Sequence, residues 1–523
     1  MGDNQLQERL TKFKRVWTGD QPADVTWPAN GLAIEGDFAG IQSYVLKPVP
    51  GARGAAKRLR ARSFRVAEET IQIADRVCRE FQRASLFYVA GGRFLITAPF
   101  EKEWEPKLAA LQARLDHELF ADLGGEVAFH LAAAPYSDAK VPKDRLFEQH
   151  RKRRNRPLEH VLLSENGWRE DQFFAAAGEG WGKCPACLRT MSRFKRIDGQ
   201  DVCEDCTDDM DRGTWLSRWQ FPPGEEPRVK RHEVLHHFPN INGEPLDFED
   251  LAEHSAGKQW LGHLRIDADR MGASFGSLEG NPSRIWGLSR MLQTFFCDYV
   301  QELIEQPRYR FIYPVYGGGD DLYVIGPWDH VLDLAVKLRE AFQTLTAPEN
   351  LTFSAGLALG KPHQHILTKS DEATQALDRA KGKGTDEIRD RICALGTVAD
   401  WKEFRKILRR AGDVLRWYGA RAVPDALLGG EAPSDSRRHF ASAFLQDILQ
   451  LSQAKGNIER GLWRPLLHHQ FVRNVRNPDP YCEQWVRDVL AGGNECDEWR
   501  RAPTVVRYAL LAAPRAKDDK EAK

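Results

Sequence analysis

Short apolar runs and amphipathic segments follow one another twice along the chain, in the same order. The run GLAIEGDFAGIQSYVL leads into Asp37, and the run WLGHLRIDADRMGASFG leads into Asp267 at the corresponding place. A glycine pair between two β-rich runs follows each, in LFYVAGGRFLI around Gly91 and in FIYPVYGGGDDLYVIG around Gly318. Each pair predicts a hairpin. A later strand-like run closes both series, EVAFHLAAAP in one and LTFSAGLALG in the other.

The spacing of these landmarks agrees in the two halves of the chain. The acid and the glycine pair are 54 residues apart in the first half and 51 in the second, and the later strand follows after 37 and 34 residues. Helical patterns such as RVAEETIQIADRVCREF and VLDLAVKLREAFQTL lie between them. The pattern therefore predicts an α+β protein with two copies of a β-α-ββ-α-β unit, the ferredoxin-like order. Chance similarity of two generic α+β units is the alternative.

Composition adds little to this picture but excludes several protein classes. The 523 residues are 42% hydrophobic and 29% charged, which is an ordinary globular composition with room for several domains. Positive and negative side chains number 75 each, so a polyanionic partner has to be met by a local patch. The start, MGDNQLQERLTKFKR, has no apolar core of a signal peptide, and no apolar run is long enough to cross a bilayer. We expect a cytoplasmic protein without a membrane partner.

The chemistry is expected in the second copy, in the segment GGGDD. Its glycines permit a tight turn that exposes Asp320 and Asp321, and Asp267 ends a strand that lies beside the same hairpin in this topology. Three converging carboxylates repel one another unless a cation is bound. Two Mg²⁺ or Mn²⁺ ions would suit these oxygen ligands and would support phosphoryl transfer to a hydroxyl. A solvated acidic turn is the alternative, and Asp269 is a weaker candidate because it follows on the same strand end.

Four further residues are candidates for holding a nucleotide. Gly318 and Gly319 form the turn itself, and Lys381 lies near the end of a helix predicted over SDEATQALDRAKGKG, which should stop at Gly382 or Gly384. Ser354 lies on the later strand and could donate to a base or ribose. A capping or exposed lysine and a buried, backbone-bonded serine are the alternatives.

The first copy differs at its hairpin. It reads GGRF, so Arg93 and Phe94 stand where the second copy has its two acids, and this hairpin cannot hold a pair of metal ions in the same manner. Binding of a second nucleotide without catalysis and plain strand-end geometry at Asp37 remain alternatives.

Two CxxC pairs separated by fifteen residues lie between the copies. The spacing predicts a tetrahedral zinc site, and a closed four-thiolate shell predicts a structural role. An iron-sulfur cluster or a redox pair is the alternative. The histidines at 232, 236 and 237 are expected to be solvated or satisfied rather than a further metal site. The predicted zinc ligands are Cys184, Cys187, Cys203 and Cys206.

Two basic segments indicate nucleotide or nucleic-acid contact, with a solvated charge run as the alternative. In the first, Arg58, Arg62 and Arg65 share a helical face and predict a surface that faces phosphate. The second, HRKRRNRP from His150, is expected in a linker. Beyond residue 390 the pattern changes to amphipathic helices, as in ADWKEFRKILRRAGDVLRWYG, which predicts a helical domain for docking with a frayed tail of ten residues.

These features together predict the domain organisation. The expected units are a short N-terminal lead (1–30), a first copy (31–140), a linker with the four-cysteine zinc-ribbon domain (141–240), a second, catalytic copy (241–390) and a helical C-terminal domain (391–523).

The assembled motifs resemble the large polymerase-cyclase subunit of type III CRISPR effector complexes, most closely the III-A kind. The segments that carry the resemblance are GDFAGIQSYV, GARGAAKRLRARSF, the four-cysteine motif, LRIDADRMGASFG, YGGGDDLYVIGPW, LTFSAGLALG and the AKGKG helix end. The resemblance implies two palm domains related to GGDEF cyclases, with two ATP molecules at their interface and metals held by Asp267, Asp320 and Asp321. It also implies conversion of ATP to cyclic oligoadenylate with release of pyrophosphate, switched on when guide RNA pairs with target RNA. The partners would be those RNAs and the other backbone and small subunits of the complex.

One departure from that family bears on activity. Many members begin with an HD-type nuclease domain, whereas about 30 residues precede the first copy here and no His-Asp dipeptide occurs. We therefore expect no HD-type DNase activity. An RNA-binding scaffold with an idle palm and a stand-alone GGDEF-like nucleotide cyclase are the alternative functions.

Overall fold

The computed structural model describes most of the chain. The described residues are 3–47, 54–163, 182–191, 193–197, 200–229, 231, 234–278, 280–383, 388–418, 441–453, 462–475, 478–491 and 497–513. His232, Gly384 and the last ten residues, all discussed above, lie outside these ranges. Among the helices within them, none is both long and apolar enough to cross a membrane.

The first copy, here called the first repeat (residues 31–136), is a four-stranded antiparallel sheet with helices on it. Helix α1 (Asp3–Thr18) precedes it, and the strand order is β2-β3-β1-β4. Its elements are β1 (Gly31–Ala39), α2 (Ile41–Val45), α3 (Ala55–Glu80), β2 (Ser85–Ala90), β3 (Arg93–Ala98), α4 (Trp104–Leu123) and β4 (Ala128–Tyr136).

A segment with small hairpins connects the repeats. It begins with a helix that packs on β4 and therefore belongs to the first repeat rather than to a linker, which corrects the expectation for HRKRRNRP. Its elements are α5 (Lys143–Arg154), α6 (Glu159–Leu162), β5 (Gly182–Lys183), β6 (Thr190–Met191), β7 (Phe194–Ile197), β8 (Gln200–Cys203), α7 (Glu204–Arg218), β9 (Asn240–Ile241), β10 (Glu244–Pro245) and α8 (Phe248–Glu253).

The second copy, here called the second repeat (residues 261–360), has the same order within a larger sheet. The strand order is β12-β13-β11-β14-β15-β16. Its elements are β11 (Leu261–Ala268), α9 (Met271–Gly276), α10 (Pro282–Gln293), a π-helix (Thr294–Tyr299), α11 (Val300–Ile304), β12 (Tyr313–Gly318), β13 (Asp321–Pro327), α12 (Trp328–Thr346) and β14 (Phe353–Gly360); α13 (Ile366–Ala380), β15 (Arg391–Ala394) and β16 (Thr397–Asp400) follow.

Two of those strands lie beyond the expected boundary at residue 390. β15 pairs in parallel with β14, with Ala355 opposite Ile392, and β16 pairs antiparallel with β15. The sheet of the second repeat therefore continues to Asp400, because these short strands gain hydrogen-bond partners only at its edge. The described helices beyond it are α14 (Trp401–Trp417), α15 (Ser442–Gln453), α16 (Trp463–Asn474), α17 (Pro480–Ala491) and α18 (Asp497–Ala512).

The strand register places the two repeats in correspondence residue by residue. Asp37 lies opposite Arg93 and His130, and Asp267 lies opposite Asp321 and Ser354. Both hairpins also carry a bulge at the same place, three residues before their turn.

That register corrects the comparison of GGRF with GGDD. Arg93 occupies the position of Asp321, and Gly92 occupies that of Asp320, because the pairing of the strands, rather than the matching of letters, aligns the turns. The backbone repeats this equivalence, since Gly92 accepts from the N–H of Phe38 and Asp320 accepts from that of Ala268.

The two repeats share a continuous apolar core. Side chains of the first sheet pack with Tyr313 and Tyr323 on the second sheet and with Phe311 just before it. The buried hydroxyl of Tyr313 donates to the carbonyl of Ala56 on α3 over 2.9 Å, which ties the sheets through a backbone atom. Burial of this interface fixes how the two hairpins face each other.

The N-terminal helix is also part of this packing. α1 lies on α10 of the second repeat, with the rings of Phe13 and Trp286 at 5.4 Å. A Cβ atom at Gly287 would lie 2.4 Å from the backbone nitrogen of Trp17, so the two helices touch where only glycine fits. The expected N-terminal lead is therefore a structural element of the second repeat.

Candidate active site between the repeats

A cavity of about 520 Å³ lies where the two glycine hairpins meet. One wall is α3 with the turn of the first repeat, and the other is β12 with the start of the π-helix. The turns are close neighbours, since a Cβ atom at Gly91 would lie 3.7 Å from the carbonyl oxygen of Gly318. Gly318 and Asp321 line the cavity, so the residues on either side of the turn border the space between the repeats.

The turn of the second hairpin is built by two residues. Gly319 is left-handed at φ 63°, which glycine adopts without steric cost, and Asp320 follows before β13 starts at Asp321. The carbonyl of Asp320 accepts from the N–H of Ala268 over 2.8 Å. This bond holds the turn against the end of β11, so both acids lie beside Asp267 on the neighbouring strand.

Burial makes these carboxyl groups hard to ionise without a cation. Burial raises the pKa of Asp321 to about 7, with the charge of Asp320 adding to the rise and Arg265 opposing it. Burial also raises the pKa of Asp320, and Arg93 of the first repeat opposes that rise. A divalent cation would relieve both costs, so the electrostatics of the turn favour cation binding.

The three predicted carboxylates do not form a closed cage. Across the described ranges, the group of three or more potential ligand atoms that lie within 4.8 Å of one another is the four-cysteine cluster, not the aspartates. The side chain of Asp267, about one third exposed, is instead in an ion pair with Lys381. Strand pairing brings Asp267 opposite Asp321, but a lysine ammonium occupies the carboxylate of Asp267.

Lys381 lies just beyond the last residue of α13, as the sequence predicts for the helix end. Burial, with smaller contributions from the charges of Arg389 and Lys383, lowers the pKa of Lys381 to about 8. Lys381 does not line the cavity, but its partner Asp267 lies opposite Asp321 in the sheet, which puts this partly desolvated ammonium on the strand next to the acidic turn.

Ser354 is fully buried and contacts no cavity-lining residue through its hydroxyl. It donates to Asp269 over 2.8 Å, and Thr352 donates to the other oxygen of the same carboxylate over 2.8 Å. The backbone N–H of Asp390 adds a third bond of 3.0 Å. This geometry favours the structural alternative for Ser354, and it makes Asp269 the group that fastens the end of β11 to β14 and to the segment before β15.

Two residues of the site carried no signal in the sequence. Gln293 accepts from the N–H of Gly319 over 2.7 Å and lines the cavity, so it holds the acidic turn from the helix side. It is followed by a π-helix, a conformation that is frequent at functional sites. Arg265 is buried, donates to Ser370 over 2.6 Å and lies beside the rings of Tyr316 and Tyr323. Neither contact follows from local sequence pattern.

The acids of the first repeat are neutralised from within that repeat. Arg93 lies 3.6 Å from Glu35 and 3.5 Å from Asp37. Arg154, on α5, also contacts Asp37, and His150 lies 3.2 Å from Glu35. Part of the basic segment from His150 thus serves this cluster.

The expected phosphate-facing surface on α3 is wrong. Arg58 and Arg62 are each 1% exposed, and Arg65 is half-buried. Arg60 is also buried and donates to the carbonyls of Leu235 and His237. The helix packs against the connecting segment on the face that carries these arginines, so they meet protein groups instead of a polyanion.

The four cysteines come together as their spacing predicts. Their sulfur atoms lie within 4.8 Å of one another, and all four side chains are buried. Four soft thiolates at this separation fit a tetrahedral zinc ion. His237 lies apart from this cluster, bonds to the carbonyl of Arg310 and has its pKa lowered by burial to about 4, in agreement with a satisfied histidine.

Comparison with known proteins identifies both repeats. The family described as "Cas10/Cmr2, second palm domain" matches residues 260–393, and "Csm1 subunit domain B" matches residues 31–171. Curated relatives named "CRISPR system single-strand-specific deoxyribonuclease Cas10/Csm1 (subtype III-A)" include those of Thermococcus onnurineus, 27% identical, and Mycobacterium tuberculosis, 25% identical. These alignments cover 70% and 84% of this chain but 55% and 61% of the relatives. The chain thus spans little more than half the length of the relatives it matches.

Solved structures share the fold. A Csm1-Csm4 cassette crystallised in complex with cA4 superposes with a TM-score of 0.65 at 20% identity, covering 92% of this chain and 70% of that one. The cassette in complex with AMPPNP gives a TM-score of 0.64 with the same coverage. The α+β fold and the resemblance inferred from the motifs are confirmed.

Proposed function

Because this chain is related to the Cas10/Csm1 large subunits of type III-A CRISPR systems through both of its repeats, we propose that it performs the cyclase reaction of such a subunit. The reaction is metal-dependent conversion of ATP to cyclic oligoadenylate with release of pyrophosphate. In this proposal Asp267, Asp320 and Asp321 hold two Mg²⁺ or Mn²⁺ ions, and the two repeats are the palms.

The observation that carries this proposal is the acidic turn beside the cavity between the repeats. Asp321 lines a space of about 520 Å³ that the two hairpins share, large enough for part of a nucleotide. Gly318 and Gly319 carry no side chains, so phosphate oxygens can approach the backbone directly before Asp320. Divalent ions held there would stabilise the attacking and leaving oxygens of an in-line displacement.

Lys381 completes the charge arrangement. Its ammonium group neutralises Asp267 in this structure, and a divalent ion on that carboxylate would release it. A released lysine beside the turn is a point-charge partner for the triphosphate of ATP. Ser354 acts in this proposal by fixing Asp269, and so the end of β11, rather than by touching the base or ribose.

The proposal also covers the partner molecules and the metal of the four-cysteine site. The similar structures were crystallised as Csm1-Csm4 cassettes, which supports assembly of this chain with the other subunits of a type III-A complex and with its guide and target RNA. The four-cysteine site is proposed to hold structural zinc. The proposed role in an RNA-guided complex also implies a cytoplasmic location.

The first experiment tests the reaction in the purified complex with ATP, Mg²⁺ or Mn²⁺ and matched target RNA. The parent should form oligoadenylate and pyrophosphate, and an Asp320→Ala/Asp321→Ala variant should not. The matched control is Glu105→Ala/Asp144→Ala, which removes two exposed acids of the first repeat and its following helix. Equal ATP consumption by the parent and the turn variant would overturn the proposal.

The same samples separate the alternative functions. A scaffold with an idle palm would bind guide RNA but leave ATP intact, and a stand-alone cyclase would consume nucleotide without co-purifying RNA. The absence of HD-type DNase activity stays a prediction. The relatives are named as deoxyribonucleases, but the alignments cover only 55% and 61% of their length. Divalent-dependent cleavage of single-stranded DNA by the complex would contradict it.

A further inference from the structure

Two faces of helix α3 contact different parts of the protein. Ser63, Val66, Ala67 and Thr70 lie on the face that forms the wall of the inter-repeat cavity. Arg58 and Arg62 lie on the face that packs along α7, the helix that starts directly after Cys203 and contains Cys206. The same rigid element therefore touches both the candidate nucleotide site and the four-cysteine module.

At Gly213 the backbone of α7 lies directly against the backbone of α3. A Cβ atom at Gly213 of α7 would lie 2.2 Å from the carbonyl oxygen of Lys57. At the start of α3, a Cβ atom at Gly54 would lie 2.9 Å from the Met210 side chain. No side chain fits at the Gly213 contact, so a displacement of α7 is transmitted to α3 without a deformable layer.

Arg62 joins the two helices at the cysteines. It is 1% exposed, and its Nε donates to Asp209 of α7 over 2.7 Å. One terminal nitrogen donates to the carbonyl of Tyr44 over 3.2 Å, and the other donates to the Sγ of Cys206 over 3.8 Å. The guanidinium group thus contacts the first repeat, α7 and one of the four sulfur atoms at once.

A metal ion bound by four thiolates carries net negative charge, and burial makes that charge unfavourable unless donors surround it. Arg62 supplies a buried cation with an N–H directed at one thiolate, which stabilises the metal-bound form of that sulfur. Outer groups of this kind orient the ligands of a metal and raise its affinity.

We propose that Arg62 is an outer-sphere partner of the four-cysteine metal site, and that through it the bound metal holds α3 in the position that forms the cavity wall. The metal then serves the nucleotide site at a distance, and its module is more than a staple for its own hairpins. This inference rests on the four-cysteine site and does not require that the acidic turn be active.

Zinc retention tests the first half of the inference. Zinc-loaded full-length protein is mixed with a chromogenic chelator, and zinc transfer is followed at equilibrium. Arg62→Gln should lower zinc affinity by about 10- to 100-fold, and Arg62→Lys should fall between that variant and the parent because it keeps the charge. The control Arg76→Gln removes an exposed arginine of the same helix and should retain zinc like the parent. Parent-like zinc affinity in Arg62→Gln would overturn the proposal.

Hydrogen exchange on the unchanged protein tests the second half and does not depend on how the variant folds. Removal of zinc by chelation should accelerate amide exchange in residues 55–80 of the first repeat. Residues 366–380 of the second repeat are the internal reference and should exchange as before. Faster exchange confined to residues 184–218 would show that the metal serves only its own module and would overturn the inference.

Neither zinc transfer nor hydrogen exchange uses ATP. A failure of this inference can therefore be told apart from a failure of the proposed cyclase function. An Asp320→Ala/Asp321→Ala variant should bind zinc like the parent, even though it is expected to lose ATP conversion. Loss of zinc in that variant would mean that the two sites are coupled by global stability rather than through Arg62, and would overturn the route proposed here.

Discussion

The two repeats have the same backbone and opposite charges at the same positions. In the first, Glu35 on β1 faces Arg93 at the start of β3. In the second, the register-equivalent residues are Arg265 on β11 and Asp321 at the start of β13, and the signs are exchanged. One exchange of charge across two strands therefore separates the acidic strand end proposed to bind metal ions from a strand end whose acids are paired with arginine.

The acid that both repeats carry at the end of their first strand has different partners in the two repeats. Asp37 is held by Arg93 of its own sheet and by Arg154 of a packed helix. Asp267 is held by Lys381, which follows the end of α13. The first acid is thus paired with two cations on folded elements, whereas the second is paired with one lysine, which a divalent ion would replace in the proposed metal-bound state.

The largest expected difference is in catalysis. Asp321→Ala should lower the rate of pyrophosphate release by about 1000-fold or more, because a group that holds charge developing at the reaction centre is lost. Arg93→Gln, at the equivalent position, should lower it by less than about tenfold. Initial rates of the assembled complex with ATP and Mn²⁺ measure both. Similar losses in the two variants would mean that both repeats are catalytic, and would break the comparison.

The next largest effect concerns how helices lie on the two sheets. A Cβ atom at Gly356 of β14 would lie 2.2 Å from the backbone nitrogen of Leu377, and this neighbour cannot move without shifting α13. The register-equivalent residue of β4 is already an alanine, Ala132. Gly356→Ala should therefore destabilise folding by about 2–3 kcal/mol in urea unfolding. A loss of less than about 1 kcal/mol in the free energy of unfolding would show that α13 can shift to make room for the added methyl group, and would contradict the prediction.

An intermediate effect is expected on metal binding as pH changes. The pKa of Asp321 is raised to about 7, so as pH falls through that value the carboxyl takes up a proton that a divalent ion has to displace. Mn²⁺ affinity, measured by electron paramagnetic resonance, should fall by up to about tenfold per pH unit below 7. Asp321→Asn should weaken binding and remove this dependence. An affinity that does not change between pH 6 and 8 would contradict it.

The smallest effect should be the same in both repeats. Gly91 and Gly319 hold equivalent turn positions with φ of 56° and 63°. A Cβ atom at Gly91 would make only an ordinary contact, 3.7 Å from the carbonyl oxygen of Gly318, and one at Gly319 would meet nothing within 4 Å. Alanine at each should cost about 1 kcal/mol, the cost of the left-handed conformation alone. Thermal unfolding of the two variants gives the comparison. A clear difference between them would show that the turns are not equivalent.

Much of the fold was predictable because it depends on short-range pattern. The alternation of apolar residues, the glycine turns and the repeated spacing predict both β-α-ββ-α-β units, and the paired CxxC spacing predicts the gathering of four sulfur atoms. Two strands beyond residue 390 were missed, since four-residue strands carry little periodicity and exist here only because β14 offers an unpaired edge. Likewise, basic residues on α3 look solvent-facing in the sequence until α7 is known to cover them.

The charged residues, the turns and the presence of two copies of one unit can be read from the amino-acid sequence, because those properties belong to single residues and their near neighbours. The equivalence of Arg93 and Asp321, the ion pair of Lys381 with Asp267 and the contact of Arg62 with Cys206 appear only once the chain is folded. Each of these relations involves residues that are far apart in the chain. Strand register and helix packing bring them together, and both depend on burial of the whole core rather than on any local segment.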